Sequence, residues 1–134
     1  MNIHEMPRHI SLDPWSHSEH SVLEYLKAVD DTSPLYMQLH VVPPIAIVAH
    51  VLREILSKLD LPSGTIHTGQ EISFMEMAQI GQNLHCLINL SRPFTRKDWT
   101  HISAKFHVKN NADISILTGR TAVMITQTSD VKQK

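Results

Sequence analysis

The segment from Pro43 to Leu59 constrains this chain more than any other. Pro43 and Pro44 fit the first turn of a helix, where a missing N–H costs least. Behind them Ile45, Val48, Val51, Leu52, Ile55, Leu56 and Leu59 recur at helical spacing and form one wide apolar face. His50, Arg53, Glu54, Ser57 and Lys58 take the other side, but Ile47 interrupts it and Ala49 widens the apolar face. The first half of the helix is therefore apolar nearly all round, and other structure has to wrap it. Leu61-Pro62-Ser63-Gly64 ends it.

After Gly64 the period drops to two. Ile66 to Phe74 reads as a strand, with Ile72 and Phe74 on one face. Leu84, Cys86, Ile88 and Leu90 alternate with His85, Asn89 and Ser91. Ile102, Ala104, Phe106 and Val108 alternate with polar residues more cleanly. Asn110-Asn111-Ala112-Asp113 is a hairpin turn, and Ile114 to Thr126 a last long strand. Upstream, Ser18 as N-cap and Val22, Leu23, Tyr25, Leu26 and Val29 at helical spacing predict a short helix over Glu19 to Val29. A short strand is expected at His9 to Leu12. The rest of residues 1–16 shows no clear period, and this stretch is the candidate for a flexible arm. A sheet with one apolar face must cover that face, and the long helix is the matching cover. The expectation is one α+β domain over residues 1–134, an antiparallel four-stranded meander wrapped around a central helix.

Composition narrows the function. A length of 134 residues, 42% hydrophobic and 19% charged, is an ordinary globular mixture. A net charge of −1 provides no basic stripe for phosphates, which argues against nucleic acid. The single cysteine, Cys86, excludes an intrachain disulfide and fits a reducing compartment. The polar N-terminus does not read as a signal peptide, and Val41 to Leu52 is too short to span a bilayer. A cytoplasmic protein with no membrane contact is expected. Ten histidines should raise the net charge by several units between pH 7 and pH 5. His67, His85, His101 and His107 fall on alternating strand positions without metal-ligand spacing, so no metal is expected.

Two stretches carry a more specific resemblance. Tyr25 to Tyr36, with Asp30-Asp31-Thr32-Ser33-Pro34, resembles the hydratase signature of MaoC-like and (R)-specific enoyl-thioester hydratases. That signature is an aromatic residue, a helix end, then Gly-Asp-x-Asn-Pro-x-His. His67 to Phe74, continuing through Ile80-Gly81-Gln82-Asn83-Leu84, resembles the strand and turn that follow the family's central helix. Leu117 to Val123 is similar to its last strand. Val42-Pro43-Pro44 resembles the family's non-catalytic halves. The resemblance implies the hot-dog fold, assembly as dimers, and reversible hydration of an acyl thioester carried by CoA or acyl-carrier protein, with no further cofactor. It also implies an Asp–His pair acting on one water, and a backbone N–H at the start of the central helix that polarises the thioester carbonyl.

Residue by residue the resemblance departs from catalysis. Asp31 stands at the catalytic Asp, Ser33 replaces the Asn, and Tyr36 replaces the His. Tyrosine, with a pKa near 10, is a weak base at neutral pH. The plain reading of Asp31 is a turn residue bonding nearby backbone. Pro43 and Pro44 remove two donors from the helix start, leaving Ile45 and Ala46. The loop from Tyr36 to Pro43 is shorter than the family's insert. His40 is a shifted candidate for the base, and its plain reading is a surface loop histidine. His50 and Gln70 are further substrate-binding candidates, with Pro44, Ile45 and Ala46. The leading expectation is an acyl-thioester-binding hot-dog protein, a degenerate homodimer or the substrate-binding subunit of a heterodimer with a catalytic hot-dog chain. The rivals are an active hydratase using Asp31 with His40 or Tyr36, and a thioesterase in which Glu54 activates water.

Overall fold

A computed structural model describes residues 5–126. The elements are β1 (His9–Ser11), α1 (Glu19–Ala28), α2 (Leu35–Leu39), α3 (Pro44–Leu59), β2 (Ile66–Phe74), β3 (Leu84–Leu90), β4 (Phe94–Arg96), β5 (Trp99–Asn110) and β6 (Ser115–Thr126). All pairings are antiparallel, in the order β1-β3-β5-β6-β2, with β4 forming a hairpin on β5.

The fold is the expected α+β hot-dog arrangement, but the sheet is not a simple meander. β2 and β3 are consecutive in sequence and do not pair. β2 lies against β6 at the far edge, and β1 and β4 bring the sheet to six strands. The reason lies in residues 75–83, which cross the start of α3 instead of turning tightly. Val42 N–H donates to Ala78 O at 2.8 Å and Ile80 N–H to His40 O at 3.0 Å. Ala78 and Ile80 are buried there. The stretch named as a candidate flexible arm supplies β1 and the buried residues Met6 and Leu12; residues 1–4 lie outside the described residues.

Helix α1 is set by its cap: Ser18 Oγ accepts Ser21 N–H at 3.1 Å, and Val22 and Leu26 are buried. It ends one residue before the predicted Val29, which becomes its cap. The short helix α2 occupies what read as loop. Its five residues are too few to show a period, and His40 stops it in the left-handed region at φ 56°. In α3 the buried residues are Ala46, Ile47, Val48, Val51, Ile55 and Leu59. Ile47, expected to break the polar side, is buried, while Ile45 and Leu56, expected on the core face, are exposed. Residues 40–42, which lead into the helix, are tied to residues 78–80, and the buried face of the helix is rotated from the one the spacing suggested.

Alternation of burial holds in β3 and β5: Leu84, Cys86, Ile88 and Leu90, and Ile102, Ala104, Phe106 and Val108, join the core with α3, while Leu87 of β3 faces outward. Gly119 on β6 sits opposite Phe106 on β5. A Cβ there would run into the Phe106 ring, so the glycine leaves space for the aromatic to lie across its neighbour. The β5–β6 turn is pinned by Asn110, whose Oδ1 accepts the N–H groups of Ala112 and Ile114 at 2.9 and 3.1 Å. Among the described residues no helix is long and apolar enough to cross a membrane.

Candidate functional site

Asp31 follows directly on α1. Its N–H bonds Leu26 O at 2.8 Å, and its Oδ1 accepts Ser33 N–H at 2.9 Å. This is an Asx turn, the plain role expected of an Asp ahead of Thr-Ser-Pro. Tyr25 on α1 and Tyr36 on α2 lie close by. The Tyr25 phenol is pushed above its ordinary range chiefly by burial, with the Tyr36 and Asp31 charges adding to it. One carboxylate and two phenols are therefore grouped at the α1–α2 junction. Such a group can hold a water or a polar head, but the Tyr25 phenol, raised by burial, is no base at neutral pH.

His40 belongs elsewhere. It is exposed, and its Nδ1 lies 3.8 Å from Glu19 Oε1 at the start of α1. At the head of α3, Pro44 is the first helical residue, and Ala46 N–H turns back to Pro43 O at 3.0 Å. Ile45, with an exposed side chain, is left as the first-turn donor. Gln70 on β2 is exposed and stands opposite Thr121 of β6.

His50 is drawn into a different cluster. Trp15 stacks on its ring at a centroid distance of 4.3 Å. Trp15 also donates Nε1–H to His17 Nε2 at 2.9 Å. His17 is 8% exposed, and burial first, then the His50 and Arg53 charges, lower its pKa from 6.5 to about 4. His50 is also lowered, mainly by burial, with Glu54 opposing. The sequence reading passed over Trp15 and His17 because the segment before α1 has no period.

An apolar space lies between the second half of α3 and the sheet. It is a cavity of about 370 Å³. Leu52, Ile55, Leu56 and Leu59 form the helix wall, and Leu90, Ile102, Ala104 and Val123 the sheet wall. Three polar side chains share the lining, Thr65, His67 and Thr121, and Thr65 Oγ1 already donates to Pro62 O at 2.6 Å. The sequence reading did not single out Thr121, although period-two alternation with Gly119 and Val123 could have placed it on the core side of β6. His67 was not legible in this way. It read as an outward strand histidine, but a register shift between His67 and Gly69 puts it opposite Val123, a cavity residue. Its Nε2 lies 2.9 Å from Gly69 O and 2.8 Å from Thr121 Oγ1.

Among the described residues no group of three His, Cys, Asp or Glu side chains gathers as metal ligands would. Cys86 is buried, and burial pushes its thiol up to about 12, so it is not a nucleophile.

No family model and no curated protein matches the sequence. Solved structures match the fold. The monoamine oxidase regulatory protein from Archaeoglobus fulgius has 14% identity and a TM-score of 0.76, covering 89% of this chain and 88% of its own. An (R)-hydratase from A. caviae involved in PHA biosynthesis has 16% identity and a TM-score of 0.70, covering 89% and 95%. The HadBC (3R-hydroxyacyl-ACP dehydratase) complex from Mycobacterium tuberculosis has 16% identity and a TM-score of 0.68, covering 88% and 96%. The chain thus has the hot-dog fold of MaoC-like dehydratases and (R)-hydratases.

Proposed function

We propose that this protein binds acyl thioesters of CoA or acyl-carrier protein as a hot-dog subunit with little or no hydratase activity of its own. The observation that carries the reading is the apolar cavity of about 370 Å³ along α3, in a fold shared with an (R)-hydratase. It falls at the small end of ligand cavities, roughly 300–1,000 Å³. The carboxylate–phenol group supports the loss of chemistry: Asp31 is held in its own turn, Tyr36 stands where a His would serve, and His40 faces Glu19. The substrate brings its own carrier, so no cofactor is needed. A buried, inert thiol fits a cytoplasmic setting.

Assembly with a second hot-dog chain follows from the exposed apolar residues beside the free edge of β2 and the head of α3, among them Leu39, Ile45, Phe74, Met75 and Met77. The likeness to HadBC, a dehydratase complex, supports a partner that supplies the Asp–His pair.

The test is calorimetry with octanoyl-CoA beside a spectrophotometric hydration assay on trans-2-octenoyl-CoA. Binding without turnover is expected. Turnover that disappears in Asp31→Asn overturns the non-catalytic reading. Release of free CoA that is lost in Glu54→Gln replaces it with a thioesterase. Absence of thioester binding removes the ligand class.

A further inference from the structure

The cavity along α3 is apolar except for Thr65, whose hydroxyl donates to Pro62 O, and the pair Thr121 and His67. Uninterrupted alternation along β2 would put His67 on the face opposite to Gln70. The register shift at Thr68 reverses this and sets His67 opposite Val123, on the cavity side. Bulges re-aim single side chains in this way, often beside binding sites.

The hydrogen bonds define what the pair offers. His67 Nε2 is within bonding distance of both Gly69 O and Thr121 Oγ1. Gly69 O can only accept, so Nε2 carries the proton and donates between the two. The Thr121 hydroxyl then keeps its own proton and one lone pair for a third partner. Thr121 is 7% exposed, so that partner has to come from the cavity.

From this we infer that the cavity selects an apolar chain carrying one oxygen, a hydroxyl or keto group, at the depth of Thr121. The inference rests on the acyl-thioester reading for the nature of the chain. The selection itself is a property of the wall. A plain hydrocarbon filling the cavity expels water and leaves the Thr121 O–H without an acceptor. Burying an unpaired hydroxyl costs enough to weaken binding by roughly tenfold. An oxygen on the ligand restores the bond. It is separate from any oxygen at the reacting carbon, because the pair lies beside the second half of α3. Ala46 and Ile55 are nine residues apart, about 13 Å along a helix at 1.5 Å per residue.

Two probe sets test this independently. Dodecanoyl-CoA is compared by calorimetry with dodecanoyl-CoA hydroxylated at one of carbons 8 to 12, the positions an extended chain carries to that depth. At least one hydroxylated ester is expected to bind roughly tenfold more tightly than the parent. In Thr121→Val, which keeps the shape and removes the hydroxyl, that preference should vanish and the parent bind as well or better. The second set is cyclohexanol against methylcyclohexane, similar in size and without a carrier, followed by methyl NMR at Val123 and Leu90. Preference for the alcohol, lost in Thr121→Val, is expected here too. If no thioester binds but the alcohol preference stands, the acyl-thioester reading has failed and the selection survives. Equal binding of oxygenated and plain probes, or a preference unchanged in Thr121→Val, overturns the inference.

Discussion

His17 shows how one buried side chain ties stability to pH. In the folded chain its pKa is about 4, against 6.5 in the unfolded one. Above pH 6.5 both states hold a neutral ring and the contribution vanishes. Between 6.5 and about 4 the unfolded chain takes the proton first, so stability falls with falling pH. Below about 4 the loss is complete. With partial solvation allowed for, it amounts to about 2 kcal/mol. Urea unfolding at pH 7 and pH 4.5 should show His17→Gln losing less stability between the two than the wild type, since Gln still offers Trp15 an acceptor. Gly119 makes a steric prediction. Gly119→Ala should cost about 1–3 kcal/mol by forcing the Phe106 ring aside. Phe106→Leu in the same chain should recover part of it in thermal melts.

At the scale of elements, α3 carries the core, and Ile55→Ala should destabilise by about 2–5 kcal/mol. Leu56, one residue on and half exposed, should cost far less when made Ala; denaturant midpoints of the two variants check the contrast. The strands β3 and β5 were legible because burial on one face imposes strict alternation, as in Ile102, Ala104, Phe106 and Val108. α3 was legible in extent but not in rotation, since Ile47 is buried while Ile45 and Leu56 are exposed, and which side is covered is decided by segments outside the helix. α2 was hidden by its shortness. Of the candidate site, the Asx turn at Asp31 followed from local chemistry. The cavity-facing His67 did not, because a one-residue register shift is decided by pairing with β6 and leaves no mark in β2 itself.

For the whole molecule, the sheet order explains what the linear sequence could not. Which strand lies beside β6 is set by the crossing of residues 75–83 over the head of α3, a contact between segments too distant for local patterns to report. The crossing leaves β2 with an unpaired edge flanked by exposed apolar side chains. In sedimentation the wild type, alone or with its partner chain, should run heavier than a 15.2 kDa monomer. Phe74→Glu combined with Met75→Lys should yield the monomer with an unchanged circular dichroism spectrum. A wild type that sediments as the monomer even with a hot-dog partner present overturns the assembly.

The two ends of the sheet differ in length. β2 runs for nine residues, whereas β1, on the other margin, has only three. A strand of three residues is a poor template for another chain. When two copies or two related subunits meet through β2, both long margins are consumed and only the short ones face outward. Growth therefore stops at a pair. Under the proposed pairing, the same geometry that takes one neighbour would guard against polymerising into filaments.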